Sequence, residues 1–174
     1  VYKRQLEHYN LIKDNTPSVV MGFNQVAFDI EFYRRMLYKS LIPDVYQTNT
    51  NGNRHLDILN VSRAAKFADN DSIQTILNEK NRDSFKLADL STANKINNGT
   101  SHDAITDCLN SIDLAKIIFK KTNHIWNDAL LLTTKKDTEN FILKNKIYTS
   151  LEYFYGNTHP FLSLIHISEP TRLA

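Results

Sequence analysis

Two short segments combine acidic and histidine side chains at spacings that suit metal-dependent hydrolysis. The first segment runs from Gly22 to Asp29 and places an acid after the exit of a predicted strand. The second segment places His102 and Asp107 five residues apart at the start of a predicted helix. Carboxylates hold divalent cations such as Mg²⁺, and a nearby histidine can deprotonate water at neutral pH. Together the segments indicate a nuclease that uses two metal ions.

Each of these residues also has a purely structural explanation. An acid in the first turns of a helix, such as Asp29, is favoured by the helix dipole alone. His102 and Asp103 would then cap a helix beside Ser101, and Asp107 would be a solvated helix residue. The two segments together are more specific for a nuclease than either segment is by itself.

Composition sets the limits of the interpretation. The chain has 174 residues, which allows one domain, or one domain and a piece of a second. The formal net charge of +2 is too small to establish nucleic-acid binding. The single cysteine, Cys108, excludes an internal disulfide framework and indicates a reducing, cytoplasmic compartment. No signal peptide and no apolar run long enough to span a membrane is found, so we expect no membrane association.

The first third of the sequence predicts a helix followed by a β-α-β unit. Apolar residues recur at helical spacing, short apolar runs indicate strands, and Pro43 stops the second helix. A crossover through this helix predicts parallel strands. The predicted elements are a helix at 1–13, a strand at 18–21, a helix at 26–41, a strand at 55–59 and a helix at 61–68.

The middle of the sequence is predicted to be mainly helical. Short helices are expected around 73–77, at 87–96 and at 125–131. A long helix is expected from an N-cap at Ser101 to about Lys121. Its predicted buried face comprises Ile105, Leu109, Ile112, Ala115, Ile118 and Phe119.

The last third of the sequence changes character. Residues 133–137 read as a polar linker, and residues 141–161 carry aromatic and β-forming residues typical of the start of a small β-rich domain. Residues 162–172 resemble the translation of a transposase adapter used to prepare sequencing libraries, and we treat 162–174 as an artefact of that kind. The alternative is a genuine short strand followed by a tail.

The motifs together resemble the DEDDh exonucleases of the ribonuclease H-like fold, and among these the bacterial exodeoxyribonuclease I branch. The family's second motif is matched by Phe23-Asn24 through Phe28-Asp29, and its third, His-x-Ala-x-x-Asp, by residues 102–107. Residues 55–64 resemble the strand and helix between these motifs. Ser84-Phe-Lys-Leu87, followed by Ala93-Asn94, resembles a further segment of that branch. The similarity extends from about residue 15 to about residue 130.

The resemblance implies an α/β fold and a set of roles. Residues 1–132 would form part of a ribonuclease H-like domain, mostly helical with a β-α-β unit, and 133–161 a linker and the start of an SH3-like domain. Asp29 and Asp107 would be metal ligands and His102 the general base. Three residues would bind substrate: Lys86, Asn24 and Phe23. Lys86 stands where the family commonly has an arginine, so it keeps the charge but loses bidentate geometry; a simple surface lysine is the alternative.

The resemblance also implies cofactors and partners. The expected cofactor is Mg²⁺, with two ions in the complete site, and Mn²⁺ as an alternative. The expected activity releases nucleotides from the 3′ end of single-stranded DNA during DNA repair. Aromatic stacking by Tyr153, Phe154 and Tyr155 would aid binding, although core packing is an alternative use of these side chains. We further expect a monomer and a contact with single-strand-binding protein through regions outside this sequence.

One departure from the family limits what this chain alone is expected to do. The first motif, Asp-x-Glu on the first strand, has no counterpart ahead of the second motif, so two of the family's four metal carboxylates are found here. Residues 1–161 alone are therefore expected to be unstable and inactive. Two other interpretations stay open: a DEDDh-type exoribonuclease, and a non-catalytic nucleic-acid-binding module.

Overall fold

The computed structural model describes residues 2–99, 103–145 and 147–164. The chain forms two compact units, Val1–Asn60 and Val61–Ala174. Helices and short strands contribute to both, and the boundary between the units falls inside the third helix.

The first unit contains the predicted β-α-β arrangement. Its strands β1 and β2 pair in parallel, from Val19 beside Arg54 to Gly22 beside Asp57. The carboxyl ends of the two strands therefore meet at one edge, where open α/β sheets place their sites. The elements are α1 (Tyr2–Asp14), β1 (Val19–Gly22), α2 (Asp29–Lys39) and β2 (Arg54–Asp57).

Helix α2 begins at Asp29, three residues later than the sequence predicts. Residues 23–28 form a turn instead, in which the carbonyl of Gln25 accepts hydrogen bonds from the N–H groups of Phe28 and Ile30. Asn24 lies in the left-handed region with φ of 57°. This turn places Asp29 directly after the strand edge and not inside a longer helix.

A buried asparagine organises the opposite end of the strands. Asn53 accepts a hydrogen bond from the N–H of Ser18 at 2.7 Å and donates to the carbonyl of Gln47 at 2.7 Å. It also donates to the hydroxyl of Thr16 at 2.9 Å. Because Asn53 lies just before β2 and Ser18 just before β1, these bonds support the parallel register. The apolar core of this unit comprises Ile30, Leu37, Leu56, Ile58 and Leu59.

The second unit is mainly helical, and α4 and α6 both pack against the long helix α5. Its core comprises Val61, Ala65, Ile73, Leu90, Leu114 and Ile118. The remaining elements are α3 (Ile58–Ala68), β3 (Ile76–Leu77), β4 (Asp83–Ser84), α4 (Leu87–Ala93), α5 (Ala104–Lys121), α6 (Asn123–Leu131), α7 (Lys135–Asn145), β5 (Ile147–Phe154) and β6 (Asn157–Leu164).

The helix predicted around 73–77 is wrong. Ile76 and Leu77 instead pair antiparallel with Ser84 and Asp83. The turn between them is closed by Asn78, whose side-chain oxygen accepts hydrogen bonds from the N–H groups of Lys80 and Arg82. Asparagine side chains stabilise turns by this means, and this local bonding competes with a helix.

The long helix α5 is confirmed, but its predicted buried face is wrong except at Ile118. Ile105 is 71% exposed, Ile112 51% and Phe119 50%. The buried stripe is Thr106, Asn110, Ser111, Leu114 and Ile118. Because α4 and α6 pack on α5, this partly polar stripe is buried. Of the predicted face, Phe119 contacts the ring of Trp126 in α6 edge-on, whereas Ile105 and Ile112 stay exposed.

The carboxyl-terminal part also departs from the sequence analysis. The linker predicted at 133–137 is wrong from Lys135 on, where α7 begins. The Thr134 hydroxyl, directly before the helix, accepts a hydrogen bond from the N–H of Asp137 at 3.1 Å and donates one to the Asp137 carboxylate at 2.5 Å. The β-rich segment is an antiparallel hairpin, β5 and β6, that turns at Tyr155 and Gly156. Both turn residues have positive φ, as tight hairpins require.

Strand β6 reaches Leu164, three residues into the tail attributed to an adapter. Residues 165–174 lie outside the described part of the chain, so the origin of the tail stays a prediction. Among the residues that are described, no helix has the length and apolar character needed to cross a bilayer.

Candidate metal and nucleic-acid site

Asp29 follows the turn at the carboxyl edge of the parallel strand pair. It is the first residue of α2 and is exposed. Within the described residues its side chain has no hydrogen bond or ion pair, whereas the neighbouring acid Glu31 pairs with Arg34 at 2.9 Å. Asp29 is therefore the acid of this helix start that is available to a ligand.

The turn that carries Asp29 is held by the half-buried carboxylate of Asp57. Oδ1 of Asp57 accepts a hydrogen bond from the N–H of Asn24 at 2.8 Å, and Oδ2 from the N–H of Val26 at 3.3 Å. Oδ1 also accepts from the N–H of Leu59 at 3.1 Å, which caps α3. No role was predicted for Asp57 from the sequence. The available signal was an aspartate directly before a helix, a favoured N-cap.

A second side chain fixes the same turn from the inside. Gln25 is 4% exposed, and its amide nitrogen donates to the carbonyls of Val20 at 2.7 Å and Leu56 at 3.1 Å. It thereby bonds to both strands of the pair. A Cβ atom on Gly22 would lie 2.9 Å from Oε1 of Gln25, so a larger residue here would displace the Gln25 side chain. Gln25 was also not identified from the sequence.

Three of the residues predicted to form the site share this turn. Phe23 is half-buried, Asn24 is exposed, and Asp29 follows after one turn of chain. The backbone N–H of Asn24 is bonded to Asp57, which leaves its side-chain amide at the surface. The first unit thus presents an aromatic ring, an amide and a carboxylate on one short segment.

Asp107 lies in the first turn of α5, in the second unit. The helix is capped by Asp103, whose Oδ2 accepts from the N–H and the hydroxyl of Thr106, each at 3.1 Å. The predicted N-cap, Ser101, is therefore wrong, because the helix begins two residues later with Asp103 as its cap. Asp107 is half-buried, and its carboxylate has no hydrogen bond or ion pair in the part of the chain that is described. The helix amino terminus favours its negative charge.

His102 lies outside the described residues, so its role stays a prediction. The segment before it is tied to α5 by Asn98, whose amide nitrogen donates to Asn110 at 3.1 Å and to Asp113 at 2.9 Å. Hydrogen bonds from Lys116 and Asn98 hold the pKa of Asp113 below its ordinary value. Asp113 is therefore already engaged, unlike Asp107.

Lys86 is exposed at the N-cap position of α4. Its backbone N–H faces the Ser84 hydroxyl at 3.5 Å, and that hydroxyl donates to Asp89 at 2.5 Å. The ammonium group has no ion pair among the described residues. It is therefore available to an anionic ligand.

The aromatic residues of the hairpin divide between packing and exposure. Tyr153 packs edge-on against Phe85, and the guanidinium of Arg63 lies 3.7 Å from the Tyr153 ring centre. Phe154 stacks on His159 at 3.9 Å. Tyr155 is 83% exposed, so the alternative prediction that its side chain packs in the core is wrong.

The described residues contain no group of three or more His, Cys, Asp or Glu side chains arranged to hold a metal ion. Asp29 and Asp107 lie in different compact units, so their approach to one metal site stays a prediction. Each is a carboxylate without another partner among the described residues. Carboxylate oxygen is the donor that Mg²⁺ and Mn²⁺ prefer, so each residue suits a divalent cation.

Sequence comparison relates the chain to exodeoxyribonuclease I. No family model matches it. Exodeoxyribonuclease I of Buchnera aphidicola subsp. Schizaphis graminum is 36% identical over 114 residues, which are 66% of this chain and 23% of that protein. The protein of that name from Buchnera aphidicola subsp. Baizongia pistaciae is 29% identical over 148 residues, 84% of this chain and 31% of that protein. The chain thus spans less than a third of the curated relatives it matches.

Solved structures agree on the fold. Escherichia coli exonuclease I in complex with a dT13 oligonucleotide has a TM-score of 0.80 and 23% identity, over 94% of this chain and 36% of that one. The complex of exonuclease I with SSB-Ct has a TM-score of 0.78 and 23% sequence identity, over 94% of this chain and 36% of that chain. The zinc-bound complex of Escherichia coli exonuclease I with single-stranded DNA has a TM-score of 0.78 and 23% sequence identity, over 91% of this chain and 35% of that chain.

These findings confirm the α/β fold class and the resemblance found in the motifs. The matched region includes both helices and short strands, as the described residues do. The chain is therefore related to part of the bacterial exodeoxyribonuclease I branch and has the corresponding fold.

Proposed function

We propose that this chain is part of a metal-dependent exonuclease that releases nucleotides from the 3′ end of single-stranded DNA in DNA repair. The relation to exodeoxyribonuclease I carries this proposal. The free carboxylates of Asp29 and Asp107 support it, since each stands at the start of a helix without a competing partner among the described residues.

Asp29 and Asp107 would hold divalent cations, and Mg²⁺ is the proposed ion. Their oxygen donors suit Mg²⁺, and a related enzyme has been solved with zinc bound. When bound, such ions neutralise charge on the phosphodiester and favour ionisation of water. Since the chain spans less than a third of its relatives, further ligands would come from outside it.

The other residues of the site would act on water and on the substrate. His102 would take a proton from the attacking water as general base. Lys86 would neutralise a phosphate with its unpaired ammonium, as a point charge and without the bidentate geometry of arginine. Phe23 and Asn24, which share a turn with Asp29, would contact the terminal nucleotide.

Single-stranded DNA is the proposed substrate. Related enzymes have been solved with DNA oligonucleotides, and exposed Tyr155 offers a ring on which an unpaired base can stack. The complete protein would act in the cytoplasm as a monomer. It would contact single-strand-binding protein through regions outside this chain, as the complex of exonuclease I with SSB-Ct suggests.

The domain organisation is part of the same proposal. Residues 1–132 would belong to the nuclease domain and 133–161 to a linker and the start of an SH3-like domain. The hairpin β5–β6 is the segment that supports the second assignment. Residues 1–161 alone would be unstable and inactive.

The test is release of nucleotides by the full-length protein from single strands labelled at either end. We expect Mg²⁺-dependent shortening from the 3′ end, and Asp107→Ala should abolish it. Asp128→Ala is the control, because Asp128 is an exposed acid on the neighbouring helix α6. RNA of the same sequence is the comparison substrate, since the 2′-hydroxyl separates the two activities.

Three results would count against the proposal. Faster hydrolysis of RNA would favour the exoribonuclease interpretation. Binding of single strands without hydrolysis, unaffected by Asp107→Ala, would favour the non-catalytic binding module. Magnesium-dependent nucleotide release by residues 1–161 alone would overturn the expectation that this part is inactive.

A further inference from the structure

The segment from Asn24 to Asp29 is held by side-chain bonds that come from far away in the sequence. Helix α2 has Phe28 at its N-cap position, and no side chain caps the helix. The N–H groups of Asn24 and Val26 instead donate to Asp57, which is 33 and 31 residues away. The position of Asp29 thus depends on a residue of another strand.

Asp57 is well suited to this task because it satisfies three backbone donors at once. Oδ1 accepts from Asn24 at 2.8 Å and Leu59 at 3.1 Å, and Oδ2 accepts from Val26 at 3.3 Å. Hydrogen bonds to a charged acceptor are stronger than those between neutral groups. The Asp57 carboxylate therefore joins the end of β2 and the start of α3 to the turn before α2.

We propose that Asp57 is a positioning residue that fixes Asn24 and Asp29 for binding of the metal ion and the terminal nucleotide. This inference rests on the proposed function, because it assigns Asp29 as a ligand. The role assigned to Asp57 is structural, since both of its oxygens accept hydrogen bonds from backbone N–H groups of the turn. Its contribution is to reduce the motion of the turn, so that the ligand is held in place before the ion arrives.

The experiment compares variants of the full-length protein by hydrogen exchange and by Mn²⁺ binding, measured calorimetrically. Asp57→Ala should speed exchange of the amides of residues 24 and 26 by about tenfold or more, because both lose a charged acceptor. It should also weaken Mn²⁺ binding by about tenfold, the usual size of an effect on residues that orient metal ligands.

Asp57→Asn refines the test. The asparagine oxygen can keep the two donors at Oδ1, whereas its NH₂ group would face the N–H of Val26. We therefore expect exchange to rise more at Val26 than at Asn24, and a smaller loss of Mn²⁺ affinity than in Asp57→Ala. A role limited to overall stability would not produce this difference between neighbouring amides.

Two control variants separate positioning from general loss of stability. Asp44→Ala removes an exposed acid of the same unit whose carboxylate, among the described residues, accepts hydrogen bonds only from the side chains of Thr50 and Asn51. Asn53→Ala removes the buried bonds at the other end of the strands. Asp44→Ala should leave exchange at residues 24 and 26 and the affinity for Mn²⁺ unchanged. Asn53→Ala weakens the strand pair from its opposite end, so it should change exchange at these residues and the affinity for Mn²⁺ less than Asp57→Ala does. An equal loss of affinity in Asn53→Ala and Asp57→Ala would overturn the positioning role.

Asp29→Ala distinguishes failure of this inference from failure of the proposed function. If Asp29→Ala weakens Mn²⁺ binding and Asp57→Ala does not, the positioning role is overturned and the metal site stands. If Asp29→Ala has no effect on Mn²⁺ binding, Asp29 is not a ligand, and both the metal assignment and the positioning role are overturned. Weakening of Mn²⁺ binding by both Asp29→Ala and Asp57→Ala, with Asp44→Ala unchanged and a smaller effect in Asn53→Ala, supports both.

Discussion

The two acidic segments place a carboxylate in the same local setting but hold it by different means. Asp107 belongs to a helix capped by Asp103 through bonds that span three residues. Asp29 belongs to a helix without a side-chain cap, and its turn is held by Asp57 across more than thirty residues. The first arrangement is local and the second depends on tertiary structure.

This difference teaches which part of the site depends on the sheet. A local cap forms whenever the helix forms, because donor and acceptor belong to the same turn. The contact between Asn24 and Asp57 requires β1 and β2 to pair in one register, with Gly22 beside Asp57. A change in strand pairing would therefore displace Asp29 and leave the local geometry around Asp107 intact.

The largest effect should come from the carboxylates themselves. Asp29→Asn and Asp107→Asn should each lower the rate of nucleotide release by the full-length protein by at least about 100-fold, because loss of a ligand should exceed the effect of residues that only orient ligands. Rates at saturating Mg²⁺ measure this loss, and Asp128→Asn serves as the control. A loss at one position only would restrict the metal site to one of the two segments.

The next largest effect should come from truncation of core side chains, one in the unit that carries Asp29 and one in the unit that carries Asp107. Leu37 and Leu114 are both 0% exposed, in the first and second unit respectively. Leu37→Ala and Leu114→Ala should each lower the free energy of unfolding by about 2–5 kcal/mol. Urea unfolding checks this, with Leu41→Ala as the matched control, since Leu41 is 90% exposed. A loss below about 0.5 kcal/mol, typical of surface changes, would contradict the assigned core.

Removal of the local cap should have a moderate effect. Asp103→Ala deletes the acceptor of two hydrogen bonds from Thr106 and should destabilise the protein by about 1 kcal/mol. Exchange should become faster at the amide of Thr106 and stay unchanged at Asn24 and Val26. Faster exchange at Asn24 as well would show that the two acidic segments are not held separately.

The smallest expected effect is the contribution of His55, in the first unit, to the pH dependence of the free energy of unfolding. Burial, and then the nearby charge of Arg34, lower the pKa of His55 from its ordinary value of 6.5. The folded protein therefore binds fewer protons here than the unfolded chain, so the free energy of unfolding should fall as pH drops below about 6.5. His55→Gln should reduce this dependence, measured by urea unfolding at about pH 7.5 and about pH 5. An unchanged pH dependence would contradict this contribution.

Local signals sufficed for much of the fold, whereas the roles of the site residues stay predictions. Helical spacing and short apolar runs predicted α1, the parallel pair β1–β2 and the length of α5. The motifs around Asp29 and Asp107 indicated the exodeoxyribonuclease I branch, which the comparisons support. These features are readable because side-chain period and motif spacing are properties of neighbouring residues.

Tertiary structure decided the features that depend on distant partners. The packing of α4 and α6 selected the buried stripe of α5, against the more apolar face with Ile105 and Ile112. Strand pairing brought Asp57 to the turn of Asn24 and gave it a role that spacing did not reveal. The sequence by itself indicated which side chains are candidates for chemistry and where most of the helices and the parallel strands lie. The pairing of β1 with β2 decided how Asp29 is held, because a hydrogen bond between remote residues exists only once the chain has folded.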